Sequence, residues 1–79
     1  MSYPRITETH LSDESRALLA EIRSHGYAVT IDQLADGRTI RMRIHHGRHL
    51  VSRSTCATGA DNAVHAGHAK WLRETVVLA

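Results

Sequence analysis

The segment Thr39–His45 alternates apolar residues with cationic or polar ones without interruption. A side-chain period of two is that of a β-strand with one face on a core and the other toward water. The apolar face carries Ile40, Met42 and Ile44. Arg41 and Arg43 lie on the opposite face. The pattern therefore restricts the chain to folds that contain a half-buried sheet with a basic surface.

A turn signal precedes this strand and indicates its partner. Asp36-Gly37 is typical of a two-residue hairpin turn, in which Ala35 pairs with Arg38. The register then pairs Val29 with Ile44, Ile31 with Met42, Gln33 with Ile40, Asp32 with Arg41 and Thr30 with Arg43. Apolar residues meet apolar ones and an acid meets a base, so the turn and the pattern agree. We expect the Asp32–Arg41 pair to be exposed and to contribute at most about 1 kcal/mol.

A third strand is predicted over about residues 48–55. A three-residue loop, His45-His46-Gly47 with Gly47 left-handed, would join it to the second strand in a bulged hairpin. This register places Leu50 on the apolar face. It places a second set of side chains beside Arg41 and Arg43, namely His49, Val51 and Arg53. A two-residue loop would reverse these assignments.

Helices are predicted on both sides of the strands. Ser12 is the predicted N-cap of a first helix that ends near His25-Gly26. Its apolar stripe consists of Leu11, Leu18, Leu19 and Ile22. A second helix follows Thr58-Gly59-Ala60-Asp61, a cap with an acid three residues on, and runs to about residues 75–77. Its inner stripe consists of Ala60, Val64, Gly67, Trp71 and Thr75.

The charged face of the sheet is too polar to bury, so both helices should cover the apolar face. The predicted fold class is therefore α+β. It is a single small domain of order α-β-β-β-α, a three-stranded antiparallel meander with two helices on one face. Residues 1–10 are predicted as an N-terminal arm and residues 11–79 as the domain.

Composition narrows the class of protein. A chain of 79 residues holds one small domain of marginal stability. A single cysteine, Cys56, excludes an intramolecular disulfide. Neither an apolar stretch of membrane length nor a signal peptide can be identified, so a cytoplasmic location is expected. The net charge of +2 is mildly basic, and nine of the ten cationic residues are arginine, which suits carboxylate or phosphate recognition.

Seven histidines are an excess for this length. His65 and His68 have a helical spacing that could present two imidazoles to a metal, with Cys56 as a third ligand. Zinc requires four ligands, or three and a water, and no carboxylate is placed to help. They are therefore predicted as partly exposed helix residues, and no metal or cofactor is expected. Full protonation of the histidines would raise the net charge toward +9 and favour an acidic or phosphate-rich partner below about pH 6.5.

The sequence contains no recognisable catalytic motif. Cys56 and a histidine could form a nucleophile and its base. Arg53 is the only nearby cation, and nothing in the local sequence predicts a lowered thiol pKa, so a semi-buried thiol at a strand end is favoured. No Ser-His-Asp arrangement, carboxylate pair or glycine-rich phosphate loop is identified. The chain is therefore predicted not to be an enzyme.

The element order is similar to the double-stranded RNA-binding domain fold. That family presents lysines at the start of its last helix, where this chain has Gly59, Ala60, Asp61 and Asn62. Its first hairpin loop, which reaches the minor groove, is longer than Asp36-Gly37. The order also resembles small toxin ribonucleases of bacterial toxin–antitoxin pairs, whose Gly-Ser and following strand histidine do not occur here.

In its size, charged open sheet and lack of a motif, the chain resembles small inhibitors encoded by phages and mobile elements, including anti-CRISPR proteins. The resemblance implies a non-enzymatic protein. A monomer or weak dimer is expected. It would dock on a nucleic-acid-handling protein complex through a basic sheet face and block nucleic-acid binding. The predicted contact residues are Arg41, Arg43, His49, Val51 and Arg53. Direct binding of structured RNA or DNA is the alternative, and toxin-type ribonuclease activity is the third.

Overall fold

The computed structural model describes residues 6–76, with Val76 described by its backbone alone. Along the chain, helix α1 precedes three strands, β1 to β3, and helix α2 follows them. The strands form one antiparallel sheet of order β1-β2-β3. The bounds are α1 Asp13–Ser24, β1 Ala28–Gln33, β2 Ile40–His46, β3 His49–Cys56 and α2 Ala60–Trp71. A 3-10 turn over Glu8–His10 precedes α1, and a π-helical turn over Leu72–Val76 follows α2. The predicted α+β class and α-β-β-β-α order are confirmed.

Both helices pack on one face of the sheet, as predicted. Their inner stripes meet the apolar sides of β1 and β2 in a single core. Its buried members are Leu11, Leu19, Ile22, Val29, Ile31, Ile40, Met42, Ile44, Ala63, Val64 and Trp71. Residues 1–5 of the predicted arm lie outside the described residues. Ile6 already contacts the sheet, because its N–H donates to the Ile31 carbonyl at 2.9 Å.

The two helix starts are tied together by one carboxylate. Ser12 caps α1 as predicted, since its hydroxyl accepts from the Ser15 N–H at 3.1 Å. Gly59 occupies the N-cap of α2 without a side-chain cap. Asp61, predicted to cap its own helix, instead accepts from the Ser15 hydroxyl at 2.6 Å and the Ser12 N–H at 3.0 Å. These bonds lower the pKa of Asp61.

The first hairpin has the predicted register and a longer loop. The predicted pairs are all present, from Val29 with Ile44 to Gln33 with Ile40. The Leu34 N–H donates to the Thr39 carbonyl at 2.8 Å, so residues 35–38 form the connection. The predicted two-residue loop is therefore wrong. Both loops are centred on the same point of the chain, which is why the register is unchanged.

Asp36 organises this loop and makes it sensitive to acid. Its carboxylate accepts from the N–H groups of Arg38 and Thr39 at 2.9 and 2.8 Å, and from the Thr39 hydroxyl at 2.5 Å. These bonds lower the pKa of Asp36 from 3.8 to about 2. A lowered folded-state pKa stabilises the fold above the unfolded-state value, and this contribution is lost as pH falls through the folded-state value.

We therefore expect the urea midpoint of the parent to fall between about pH 4 and pH 2 more steeply than that of Asp36→Asn. The neutral amide has no proton to gain over this interval. Urea titrations followed by circular dichroism at both ends of the interval provide the measurement. Parallel pH dependences in the two proteins would show that the Asp36 carboxylate does not couple folding to protonation.

The second hairpin differs from the prediction. Its turn is the two-residue Gly47-Arg48, closed by the pair His46 and His49, with Gly47 at φ 63°. Ile44 pairs with Ser52 and His45 pairs with Leu50, so Val51 is the extra residue of a β-bulge. The predicted three-residue loop and its register are wrong.

Close packing of α2 requires small residues on the core side of β3. A Cβ added at Gly67 would overlap the Met42 sulfur and lie 3.1 Å from the Ser54 hydroxyl. The core side of β3 beneath α2 therefore holds small residues, Ser52 and Ser54, opposite Ile44 and Met42. Leu50, which the predicted loop places on the apolar face, pairs with His45 on the opposite face and is 49% exposed.

Candidate binding face

The sheet surface opposite the helices is termed the open face. It consists of three cross-strand rows, because directly paired residues share a face of the sheet. The rows are Ala28–His45–Leu50, Thr30–Arg43–Arg53 and Asp32–Arg41–Thr55. Three of the five residues predicted to contact a partner, Arg41, Arg43 and Arg53, are brought together here.

Asp32 lies at the centre of the electrostatics of this face. It is buried, with 3% of its surface exposed, and its Oδ2 accepts from Nη2 of both Arg41 and Arg43 at 2.7 Å. The two arginine side chains are 22% and 32% exposed. The expectation of an exposed Asp32–Arg41 pair is therefore wrong. Arg43, a diagonal neighbour across the ladder, is long enough to reach the same carboxylate.

The shared carboxylate has two consequences for Arg41 and Arg43. It holds both guanidinium groups against the sheet, and it cancels one of their two charges. Reversing both to glutamate would place two further carboxylates against buried Asp32. The open face is therefore coupled to stability, and its arginines do not simply point to water as the alternation suggested.

Arg53 differs from the other two arginines. It is exposed and pairs directly with Arg43, so two like charges face each other across β2 and β3. Opposed like charges in a sheet are unfavourable. Within residues 6–76, no carboxylate forms an ion pair with the Arg53 side chain. Arg53 is thus the cation of the open face that is best placed for an external anion.

His49 does not join this group. It pairs with His46, whose ring lies 5.1 Å from that of Tyr27. Tyr27 in turn contacts Trp71 at 5.8 Å on the helix side of the sheet. The predicted position of His49 beside the arginines is therefore wrong. His45 takes that place, and the uninterrupted alternation through residue 45 was the signal for it.

A shallow groove of about 360 Å³ runs between the outer edge of β3 and the C-terminal helical turn. Its lining consists of Leu50, Val51, Ser52, Arg53, Lys70 and Glu74. Val51, a predicted contact residue, is half-buried in it. Lys70 Nζ donates to the Arg53 carbonyl at 2.5 Å and lies 3.8 Å from Glu74. The groove therefore combines apolar side chains with two cations at the margin of the open face.

The helical histidines contact α1. His65 Nε2 is 3.9 Å from Glu14, and His68 Nε2 contacts Glu21. The His68 ring also packs on Trp71, with centroids 5.6 Å apart. Among residues 6–76, no group of three histidine, cysteine or acidic side chains is arranged to hold a metal ion. Both helical histidines therefore make side-chain contacts within the described part of the chain.

Cys56 ends β3 as a half-buried thiol, as predicted. Its Sγ lies 3.0 Å from the Thr58 hydroxyl. This contact lowers the pKa of the Cys56 thiol, so the expectation of an unperturbed thiol is wrong. The contact supplies no general base, because a threonine hydroxyl does not take up a proton in this range.

Comparison with protein-family models, curated proteins and solved structures finds no match. Within the described residues, no helix is long and apolar enough to cross a bilayer. The chemistry of the open face is therefore the basis for a functional proposal.

Proposed function

We propose that this protein is a non-enzymatic binding protein whose open face docks on an acidic surface of another protein. The observation that carries the proposal is the arrangement of three arginines on one uncovered face, two of them held by Asp32. Arginines that are already ordered lose little conformational freedom on binding. Arginine is also enriched among the residues that dominate protein interfaces.

The balance of charge and apolar surface supports a protein partner over a nucleic acid. The three arginines and Asp32 give the face a formal charge of only +2. Specific nucleic-acid binding neutralises many phosphates, commonly six or more. Exposed Leu50 and half-buried Val51 beside Arg53 provide an apolar centre with a cationic rim, as in a protein interface.

The resemblance to small phage and mobile-element inhibitors extends the proposal. A cationic face is complementary to an acidic surface and does not mimic nucleic acid. Inhibition of a cytoplasmic nucleic-acid-handling complex would therefore operate by steric occlusion from an acidic surface beside its nucleic-acid channel. The small size and the uncovered charged sheet support this inhibitory role.

We expect Arg53→Glu to weaken capture of the partner by about tenfold or more, because like charges would then face each other. Arg53 is the appropriate site, since it is exposed and outside the Asp32 pairs. Arg73→Glu makes the same charge change at an exposed position after α2 and is the matched control. The measurement is quantitative pull-down from cell extract, with circular dichroism to verify folding.

Nuclease treatment and the dependence of binding on salt concentration distinguish a protein partner from a nucleic-acid partner. Capture of a protein partner should persist after nuclease treatment, and its affinity should decline moderately as the salt concentration rises. Loss of capture after nuclease, with a steep salt dependence, would indicate direct binding of RNA or DNA instead. Equal capture by the parent and by folded Arg53→Glu would exclude Arg53 and its surroundings as the docking site.

A further inference from the structure

The outer edge of β3 has backbone groups available for another strand. In an antiparallel sheet, alternate residues direct their N–H and C=O groups to one neighbour or the other. The Ile31 carbonyl points outward from β1, where it accepts from Ile6. The same alternation can be followed from Ile31 through the residue pairs of β1 with β2 and of β2 with β3. It shows that Arg53 and Thr55 are residues of β3 whose backbone N–H and C=O groups point away from β2. The Lys70 bond to the Arg53 carbonyl agrees with this direction.

The two edges of the sheet therefore differ in how their outward backbone groups are covered. Backbone of residue 6 covers part of β1. At β3, among residues 6–76, a single lysine side chain covers one carbonyl, and no strand pairs with it. An exposed strand edge of this kind is a template for an added strand.

The side chains indicate what the added strand must carry. The row Thr30–Arg43–Arg53 ends in two opposed guanidinium groups. The next position in that row, on an added strand, lies directly opposite Arg53. A carboxylate at that position would relieve the repulsion between Arg43 and Arg53, as Asp32 does for the first two arginines.

A second copy of this chain is a poor occupant. Pairing β3 with β3 of another copy would put six arginines and only two Asp32 carboxylates on one continuous face. Charge complementarity instead favours a different chain that brings an acid. Exposed Leu50, which ends the next row of the open face, favours an apolar residue two positions from that acid, since alternate residues share a face.

We propose that the edge of β3 accepts an extended acidic segment of a partner protein as a fourth strand. An aspartate or glutamate of the segment lies opposite Arg53, and an apolar residue two positions away packs on Leu50 of the open face. Lys70 leaves the Arg53 carbonyl to admit the strand, and Glu74, 3.8 Å away, remains as its counter-ion. This inference rests on the proposed docking function and specifies how the partner binds.

The test begins with a display library of random nine-residue peptides selected on the full chain. We expect enrichment of an acid-x-apolar pattern. Fluorescence anisotropy then compares the best peptides on the parent, Arg53→Glu, Thr55→Pro and Arg73→Glu. Binding should weaken by about tenfold or more in the first two variants and stay unchanged in Arg73→Glu. Replacing the peptide acid by lysine should restore binding to Arg53→Glu.

Thr55→Pro removes an outward N–H without removing a bond to β2, a position where proline is tolerated. Peptides N-methylated at alternate amides provide a second measurement that leaves the protein unaltered. Methylation in one of the two alternations should abolish binding, because it blocks the amides that face β3. Selected peptides that lack an acid, or that bind regardless of methylation and of Arg53→Glu, would overturn the inference. A library without any binder below about 1 mM would overturn it as well.

The outcome for the natural partner separates the two proposals. Weaker capture in Arg53→Glu with full capture in folded Thr55→Pro leaves open-face docking intact and rejects strand addition. Weaker capture in both variants, with Arg73→Glu unaffected, supports both. Full capture in both variants rejects both.

Discussion

Trp71→Ala is expected to lose about 3–5 kcal/mol of unfolding free energy, the range for truncating a fully buried large side chain. Trp71 is 1% exposed and is the largest core residue. Its ring contacts those of His25, Tyr27 and His68 at 5.4, 5.8 and 5.6 Å. A domain of this size has roughly 5 kcal/mol in total, so the variant should retain only about 0–2 kcal/mol and be up to about half unfolded at room temperature.

Urea denaturation followed by far-ultraviolet circular dichroism is the appropriate measurement, because Trp71 is the only tryptophan and its fluorescence is lost. Trp71→Phe is the matched control. It retains an aromatic ring and removes the indole N–H, which is buried without a hydrogen-bond partner among the described residues. Phenylalanine should therefore cost clearly less than alanine. An alanine variant that melts within a few degrees of the parent would contradict a central role for Trp71.

The fold was predictable where local signals agreed. The alternation of Thr39–His45 and the turn residues Asp36-Gly37 specify the same register of β1 on β2. The predicted register is correct although the predicted loop is too short, because the predicted and observed loops have the same midpoint in the chain. Helix periodicity placed Trp71 in the core for a similarly local reason. Such features depend on neighbouring residues, which a sequence displays directly.

Features that depend on contacts between distant elements were not predictable. The predicted three-residue loop places Leu50 on the core side of β3. In the structure α2 approaches that side closely at Gly67, beside Ser54, and Leu50 pairs with His45 on the open face. Asp61 was assigned to its own helix, whereas its partners Ser12 and Ser15 lie on α1. No local pattern contains this information.

The candidate site also combines features that local sequence predicts with features that depend on longer-range contacts. Strand alternation correctly placed Arg41, Arg43 and Arg53 on one face. The bulge at Val51 decides which residues of β3 flank them, and it moved His49 to the other side. The burial of Asp32 results from two arginines of one strand converging on a single carboxylate, which pairwise register reasoning does not reveal.

Asp32→Ala is expected to lose about 2–3 kcal/mol, far more than an exposed ion pair would. Removing one partner of a buried pair commonly costs about 3–5 kcal/mol. The partial exposure of the two arginines, 22% and 32%, lets water compensate part of that loss. Without the carboxylate, Arg41, Arg43 and Arg53 share one face with no acid from the described strands.

Salt dependence identifies the mechanism of this loss. In Asp32→Ala the guanidinium groups repel one another, and added salt screens that repulsion. Urea midpoints measured at low and high salt should therefore converge toward the parent as salt increases. Thr30→Ala, a neighbouring change on the open side of β1, is the control and should show little effect in either condition. A loss below about 1 kcal/mol that is independent of salt would show that the carboxylate does not hold the arginines together. The guanidinium groups would then not be ordered before binding, and the proposed docking face would lose its main physical support.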